Sequence, residues 1–259
     1  MIDPQPLPST VVSSSRGAWA PSHHLLTPAN RFPARLPQLA DTAVVKLVTP
    51  RNGRARFGQY LLLLERDGAG TTRPLPTGLE QFLYVLEGDV RVTIDGAGRA
   101  LAAGAFAYLP DDAALELTAA GGPAQVLWLK RRYEPVPDVA RPGVVLGHRD
   151  ERPSGRTSVP GLTRKELLDP SDAGFDFNMS LMRFAPGTIF RVDEVHDEEH
   201  GLYVTEGLGI QVLDGRFHEV AKGDFAYIAP YCPQYFYAVG WEPTEYLLYK
   251  DVHRDGFDA

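Results

Sequence analysis

Residues 83–108 read LYVLEGDVRVTIDGAGRALAAGAFAY, and residues 202–227 read LYVTEGLGIQVLDGRFHEVAKGDFAY. A shift of 119 positions aligns the two stretches without a gap, and 12 of the 26 positions are identical. Ordinary composition would give roughly one or two matches in such a window. The chain therefore contains an internal duplication, and the repeated unit determines the fold.

Each copy has the pattern of short antiparallel strands. Runs rich in Val, Leu, Tyr and Phe lie between scattered Gly and Pro residues, and several of them alternate apolar with polar side chains. The pairs Asp95-Gly96 and Asp214-Gly215 supply the positive φ angles that a tight hairpin needs. The pattern predicts an all-β protein, a sandwich or barrel of many short strands.

Few segments have a helical pattern. We predict one short helix in LTRKELLDP at 162–170, ended by Pro170, and we expect the first 25 residues to be loosely draped. A Pro-rich connection around 134–160 separates the two copies. The organisation predicted from the sequence is therefore two domains, residues 1–143 and residues 144–259.

Composition excludes several classes of function. The chain has 259 residues and a net charge of −7, so it lacks the Lys and Arg excess of a nucleic-acid surface. The single cysteine, Cys232, excludes an internal disulfide and a structural zinc site built from several thiolates. No secretory apolar segment and no run long enough for a membrane span is visible, so we expect a cytoplasmic protein.

Residues 193–201, DEVHDEEHG, carry acids and histidines just before a strand-like segment. In a strand, side chains at i, i+2 and i+4 share a face, which places Glu194, His196 and His200 on one interior. Glu198 has the same parity, so parity alone does not exclude it. One carboxylate with two imidazoles suits a divalent transition metal. The competing interpretations are a solvated acidic loop and a helix that carries the two histidines at i, i+4.

The duplication favours the metal site. At the same offset the first copy has Leu75, Thr77 and Gln81, so the glycines of the scaffold persist in both copies while the polar triad occurs in one. Charged groups inside a barrel are costly unless they are paired or bound to a metal. We therefore predict one functional barrel and one structural barrel.

The motif resembles that of the cupin family. Glu194-Val-His196, His200 and Gly207 follow the first cupin motif, with one Glu and one His exchanged. Gln234 falls at the position of the fourth ligand, and the first copy has Leu115 there. This variant is similar to the (S)-ureidoglycine aminohydrolase family, and the resemblance runs from about residue 17 to 255. It implies a bicupin, two tandem double-stranded β-helix (jelly-roll) barrels, with ligands only in the C-terminal one.

The resemblance also implies a chemistry. The family converts (S)-ureidoglycine to (S)-ureidoglycolate and ammonia with Mn²⁺ in purine and allantoin catabolism. Its metal ligands would be Glu194, His196, His200 and Gln234. Glu194, Tyr246 and Lys250 would be catalytic, and the substrate-binding residues would be Glu194, Gln234, Tyr246, Lys250 and Gln211. Gln211 stands where the family commonly has a tyrosine, which affects the expected substrate preference or turnover. The partners implied are a small anionic ureide and further copies of the chain in a homo-oligomer.

Two other classes remain as alternatives. One is a metal-dependent cupin oxygenase or isomerase that acts on another small organic acid, and the other is a non-enzymatic bicupin that binds a small ligand. The remaining histidines are weaker candidates. His23 and His24 are expected to be solvated, and His218 is expected to face outward. Cys232 is expected to pack as a small apolar residue, and its spacing suggests no nucleophilic pairing.

Overall fold

The computed structural model describes residues 16–75, 77–190 and 192–255. The predicted all-β class is confirmed, since the helices in this part of the chain are 3-10 turns at Pro28–Asn30, Pro50–Asn52 and Arg149–Glu151. The strands of the first half are β1 (Ala18–Ala20), β2 (His23–Leu26), β3 (Pro33–Ala34), β4 (Leu39–Ala40), β5 (Thr42–Val48), β6 (Phe57–Leu64), β7 (Gly70–Thr71), β8 (Glu80–Glu87), β9 (Val90–Ile94), β10 (Ala97–Leu101), β11 (Ala105–Leu109), β12 (Leu115–Ala119) and β13 (Ala124–Arg131). Those of the second half are β14 (Val145–His148), β15 (Gly155–Arg156), β16 (Leu162–Glu166), β17 (Phe177–Phe184), β18 (His200–Glu206), β19 (Leu208–Leu213), β20 (Arg216–Ala221), β21 (Phe225–Ile228), β22 (Gln234–Ala238) and β23 (Thr244–Asp251).

The chain divides into two compact units, one around each copy of the repeat. The N-terminal unit comprises residues 32–155, 164–181 and 249 onward, and the C-terminal unit comprises the described residues up to 31, 156–163 and 182–248. This division differs from a single boundary at 143/144. The reason is pairing between residues distant in sequence: β2 pairs with β21, so the start of the chain belongs with the second copy.

The two units use similar sheets. The N-terminal unit contains a seven-stranded sheet of order β14-β11-β8-β13-β6-β5-β3 and a five-stranded sheet of order β10-β9-β12-β7-β4. The C-terminal unit contains a three-stranded sheet of order β20-β19-β22 and most strands of an eight-stranded sheet of order β1-β2-β21-β18-β23-β17-β16-β15. In each unit, apolar side chains of the inner faces form the core.

The two hairpins form as predicted. Asp95 and Gly96 have φ angles of 48° and 81° between β9 and β10, and Asp214 and Gly215 have φ angles of 52° and 72° between β19 and β20. These angles match the left-handed turn that the Asp-Gly pairs favour. The turns fix the register of each hairpin, with Val92 opposite Arg99 in the first copy.

Three local predictions were wrong. The expected helix at 162–170 is strand β16 over its first five residues, because Leu162 packs into the apolar core of the C-terminal unit. His23 and His24 are buried on β2 rather than solvated, since β21 pairs with that strand. His218 is half-buried, and its ring lies 5.1 Å from the ring of His23. None of these contacts can be inferred from local sequence pattern.

A Tyr–Glu pair recurs in both copies on the side of the strands away from the barrel interior. Tyr108 Oη donates a hydrogen bond to Glu80 Oε2 (2.9 Å), and Tyr227 Oη donates to Glu199 Oε2 (3.3 Å). All four residues are buried. The same shift of 119 relates the members of the two pairs, so the pair belongs to the repeated scaffold.

No helix in the described part of the chain is long and apolar enough to cross a membrane.

Candidate functional site

Three segments of the C-terminal unit meet at the candidate site. His200 is the first residue of β18 and lies opposite Ile228 of β21. Gln234 is the first residue of β22 and pairs with Leu213 of β19 on one side. On its other side it pairs with Glu194, through backbone hydrogen bonds of 3.0 Å in both directions. The pairing brings the 194–196 segment alongside the barrel strands.

The side chains of His196, His200 and Gln234 converge. The Nε2 atoms of the two histidines are 3.3 Å apart, and the Gln234 side-chain nitrogen lies 3.3 Å from His196 Nε2. His200 and Gln234 are buried, and His196 is half-buried. The structure therefore brings together three of the four residues predicted as metal ligands.

This donor set fits a divalent cation. Two imidazole nitrogens that face each other at this distance cannot both carry a proton, so at least one lone pair points into the gap. A 180° rotation of the Gln234 amide places its oxygen where the nitrogen stands, because the two atoms occupy equivalent positions. Two imidazoles and an amide oxygen then point at one place, which is how proteins bind transition metals.

Glu198 supports the His196 ring. Its Oε2 lies 2.9 Å from His196 Nδ1, an ion-pair distance, although the N–H is not well aligned for a hydrogen bond. A carboxylate on the far nitrogen would orient the imidazole with Nε2 toward a bound metal, as is common for metal-bound histidines. Parity left Glu198 open as a site residue, and the structure places it beside a predicted ligand rather than among the converging atoms.

Glu194 lies on the ligand-bearing face but is not drawn into the convergence. It is half-buried, and its position opposite Gln234 puts both side chains on the face that Leu213 shares. Among residues 16–75, 77–190 and 192–255, no three His, Cys, Asp or Glu side chains stand close enough to hold a metal ion. Glu194 as a ligand stays a prediction.

Gln211 presents a buried polar atom to the interior. It lies on β19 opposite the core residue Phe236, and its Nε2 donates to the Tyr235 carbonyl at 3.2 Å. Its Oε1 is buried without a hydrogen-bond partner. An unpaired buried acceptor costs about 1–3 kcal/mol, so a ligand that donates an N–H to it would recover that energy.

Tyr246 and Lys250 both lie on β23. Tyr246 is buried, and its ring packs at 5.4 Å from the rings of both Phe184 and Phe236. The ring is therefore part of the apolar core of the C-terminal unit. Lys250 is half-buried and belongs to the N-terminal unit by the division of the chain. The catalytic roles of the two residues stay predictions.

Cys232 packs between Leu213 and Ile228, and burial is the main cause that raises the pKa of its thiol. This environment matches the predicted apolar packing role. Sequence reasoning missed the buried Glu199–Tyr227 pair, although its recurrence as Glu80–Tyr108 was visible in the repeat.

The paired copies and the convergence of two histidines with Gln234 in one barrel define a protein of the bicupin class. The family described as Cupin domain matches residues 180–249, which include all the predicted ligands.

Curated relatives and a solved structure place the chain in a particular family within this class. The chain is 33% identical over 242 residues to the probable (S)-ureidoglycine aminohydrolase of Oryza sativa subsp. japonica, covering 93% of this chain and 76% of the relative. It is 34% identical over 235 residues to the (S)-ureidoglycine aminohydrolase of Escherichia coli (strain K12), covering 89% and 88%. Protein Ylba from E. coli, a solved structure, superposes with a TM-score of 0.83 at 30% identity over 95% of this chain and 97% of that one. The chain belongs to the (S)-ureidoglycine aminohydrolase family.

Proposed function

We propose that this protein hydrolyses (S)-ureidoglycine to (S)-ureidoglycolate and ammonia with the help of Mn²⁺, in the breakdown of purine-derived ureides. Water forms a C–O bond to the α-carbon, the C–N bond to the α-amino group breaks, and the amine leaves with a proton as ammonia. The relatives named for this reaction support the proposal.

The observation that carries the proposal is the meeting of His196, His200 and Gln234 at 3.3 Å. These residues, with Glu194 as the proposed fourth ligand, would hold the metal. Oxygen and imidazole ligands without a thiolate favour Mn²⁺ over softer metal ions. When bound, the ion would supply Lewis-acid activation and an anchor for the substrate carboxylate. Glu198 keeps the His196 ring in the orientation that leaves Nε2 free for this purpose.

The other predicted site residues would orient the substrate. Gln211 Oε1 is a buried acceptor without a hydrogen-bond partner, and the urea group of the substrate carries N–H groups that could donate to it. We propose that Lys250 pairs with the substrate carboxylate and that Tyr246 donates a hydrogen bond. Glu194 is the proposed proton acceptor, because a carboxylate can take the proton that water loses on attack.

Cytoplasmic location and assembly into a homo-oligomer are further proposals. The cytoplasmic location rests on the low cysteine content, a single Cys232, and the homo-oligomer rests on the resemblance to bicupins that associate.

The test is ammonia release from freshly generated (S)-ureidoglycine, measured over the spontaneous reaction, with and without added Mn²⁺. Removing one imidazole of the site should lower the rate at least about 100-fold and abolish retained metal in elemental analysis, so His200→Ala is the test variant. His253→Ala is the control, since His253 is exposed. A rate no faster than the spontaneous reaction with wild-type protein and Mn²⁺ would refute the proposal.

A further inference from the structure

The interior of the N-terminal unit, which lacks metal ligands, ends in a polar layer. Lys130 of β13 lies directly opposite Gln81 of β8 and Gly58 of β6, so the Lys130 and Gln81 side chains share the face on which Gly58 presents no side chain. The next layer inward contains Trp128 opposite Tyr60 and Leu83. Trp128 and Leu83 belong to the apolar core of this unit, and Tyr60 packs against it. The polar layer therefore closes one end of a hydrophobic interior.

Two aromatic rings hold the Lys130 ammonium group. Nζ lies 4.0 Å from the Trp128 ring centroid and 4.5 Å from that of Tyr60. The Tyr60 ring reaches this position because residue 58 is glycine: a Cβ there would come within 2.8 Å of Tyr60 Oη. Burial lowers the pKa of Lys130 to about 8. The lysine is thus partly desolvated and fixed rather than extended into water.

The layer offers donors and lacks an acid. Trp128 Nε1 donates to Gln81 Oε1 at 2.9 Å, which leaves the NH₂ group of Gln81 to donate elsewhere. Burial raises the pKa of Tyr60, so its hydroxyl stays protonated. In the described part of the chain, no acidic side chain forms an ion pair with Lys130. A partly desolvated cation with two neutral donors and no paired anion would be stabilised by a bound carboxylate, which could accept hydrogen bonds from all three groups.

We propose that Lys130, Gln81 and Tyr60 form a second ligand site in the N-terminal unit, which binds a small organic carboxylate against the Trp128 ring. Gln81 and Lys130 occupy the places that His200 and Lys250 occupy in the other copy. The duplication has thus kept a polar end in both barrels, with metal ligands in one and anion-binding donors in the other. The site is independent of the ureide chemistry, because it shares no residue with the metal ligands.

Tryptophan fluorescence provides a local readout. Trp128 is 2% exposed, whereas Trp19 and Trp241 are 67% and 96% exposed, so the blue-shifted emission comes from Trp128. We would titrate the protein at pH 7 and constant ionic strength with acetate and, in parallel, with acetamide, its neutral isostere. Acetate should give a saturable change and acetamide none. An equal response to both compounds would overturn the proposal.

Variants separate this site from the metal centre. Lys130→Met should weaken the acetate response at least about tenfold, because a charge-assisted hydrogen bond is lost. Lys46→Met is the matched control, an exposed lysine on β5 of the same unit, and should leave the response unchanged. His200→Ala should also keep it. Loss of the response in His200→Ala, or its survival in Lys130→Met, would place the acetate elsewhere and sink the idea.

A second measurement needs no substitution and so does not depend on the variant folding. The chain has five lysines, at positions 46, 130, 165, 222 and 250, which peptide mass mapping distinguishes. Reductive methylation with formaldehyde and a borane should be slower at Lys130 in acetate than in acetamide, by about threefold or more, with Lys46 unaffected. Equal methylation of Lys130 in both solutions would contradict a carboxylate bound there.

Discussion

Replacing Arg131 should lower the free energy of unfolding of the N-terminal unit far more than replacing an exposed arginine does. The Arg131 side chain is 1% exposed. Nη1 donates to Tyr249 Oη at 2.9 Å and to the Asp176 carbonyl at 3.2 Å. Nη2 lies 3.0 Å from Glu134 and 3.3 Å from the Asp176 carboxylate, and Nε lies 3.4 Å from Glu80. Glu134 also lies 3.8 Å from Arg56, whereas the ion pairs of the buried Glu80 and Asp176 in the described part of the chain are with Arg131.

The protonation of the carboxyl groups sets the size of the effect. Burial, followed by the hydrogen bond to Asp176, raises the pKa of Glu80 and so favours the neutral form of that side chain. Burial opposes the charge on Arg131, but Tyr249, Asp176 and Glu80 outweigh it and raise its pKa. Arg131→Met leaves one buried carboxylate without its cation. Breaking a buried pair in this way costs about 3–5 kcal/mol of unfolding free energy.

Urea unfolding, monitored through the emission of the buried Trp128, measures this loss of stability in the N-terminal unit, to which Trp128 belongs. Arg35→Met is the control: Arg35 pairs with Glu65 at 2.6 Å, both side chains are exposed, and the expected cost is below about 1 kcal/mol. Adding Asp176→Asn to Arg131→Met should recover part of the loss, because it removes the stranded charge. A cost for Arg131→Met as small as that of the control would show that the network carries no such penalty.

Three further changes have defined outcomes. Gln211→Met should raise KM for the ureide about tenfold with little change in kcat, since the interior loses its acceptor, and an unchanged KM would contradict the role. Urea unfolding should show a change of at most about 1 kcal/mol, because removal of the unpaired Oε1 offsets the loss of the hydrogen bond from Nε2 to the Tyr235 carbonyl. Burial lowers the pKa of His23 from 6.5 to about 4, so its neutral form stabilises the fold fully above pH 6.5, and this contribution is lost as the pH falls through 4. The loss approaches about 3 kcal/mol, and His23→Phe should flatten this part of the pH–stability curve, measured by urea unfolding at several pH values. Gly207→Ala should cost about 2 kcal/mol more unfolding free energy than Gly215→Ala in the same assay. Both glycines have φ near +70°, but a Cβ at 207 would lie 2.4 Å from the Pro243 carbonyl oxygen, while nothing lies within 4 Å of a Cβ at 215. Equal costs would disprove the steric argument.

The strands and hairpins could be predicted from sequence because their causes are local. Asp95-Gly96 and Asp214-Gly215 carry their turn angles in their own chemistry, and alternation of apolar side chains marks the strands. The segment at 162–170 was misassigned because its conformation depends on packing of Leu162 in a core assembled from distant strands. Burial of His23 has the same cause, since β21 is about 200 residues away.

At the site, parity and duplication predicted more than composition did. The period of two placed His196 and His200 on one face, and the structure brings their rings together with Gln234. Parity could not tell Glu194 from Glu198, because both have inward positions and only the path of the chain between 194 and 200 separates them. The sequence did not predict the polar layer around Lys130. Its capacity to bind an anion depends on whether acidic side chains lie near Lys130 in the fold, and the sequence does not show which side chains are neighbours.

The lone thiol of this chain has a practical consequence. Cys232 is buried between Leu213 and Ile228, so it is shielded from bulk reagents in the native state. A cysteine introduced at an exposed position such as Lys46 would be the one accessible attachment point for a dye or spin label, without prior removal of a native thiol. Distances within the N-terminal unit could then be followed from such a label to the enclosed indole of Trp128 by energy transfer.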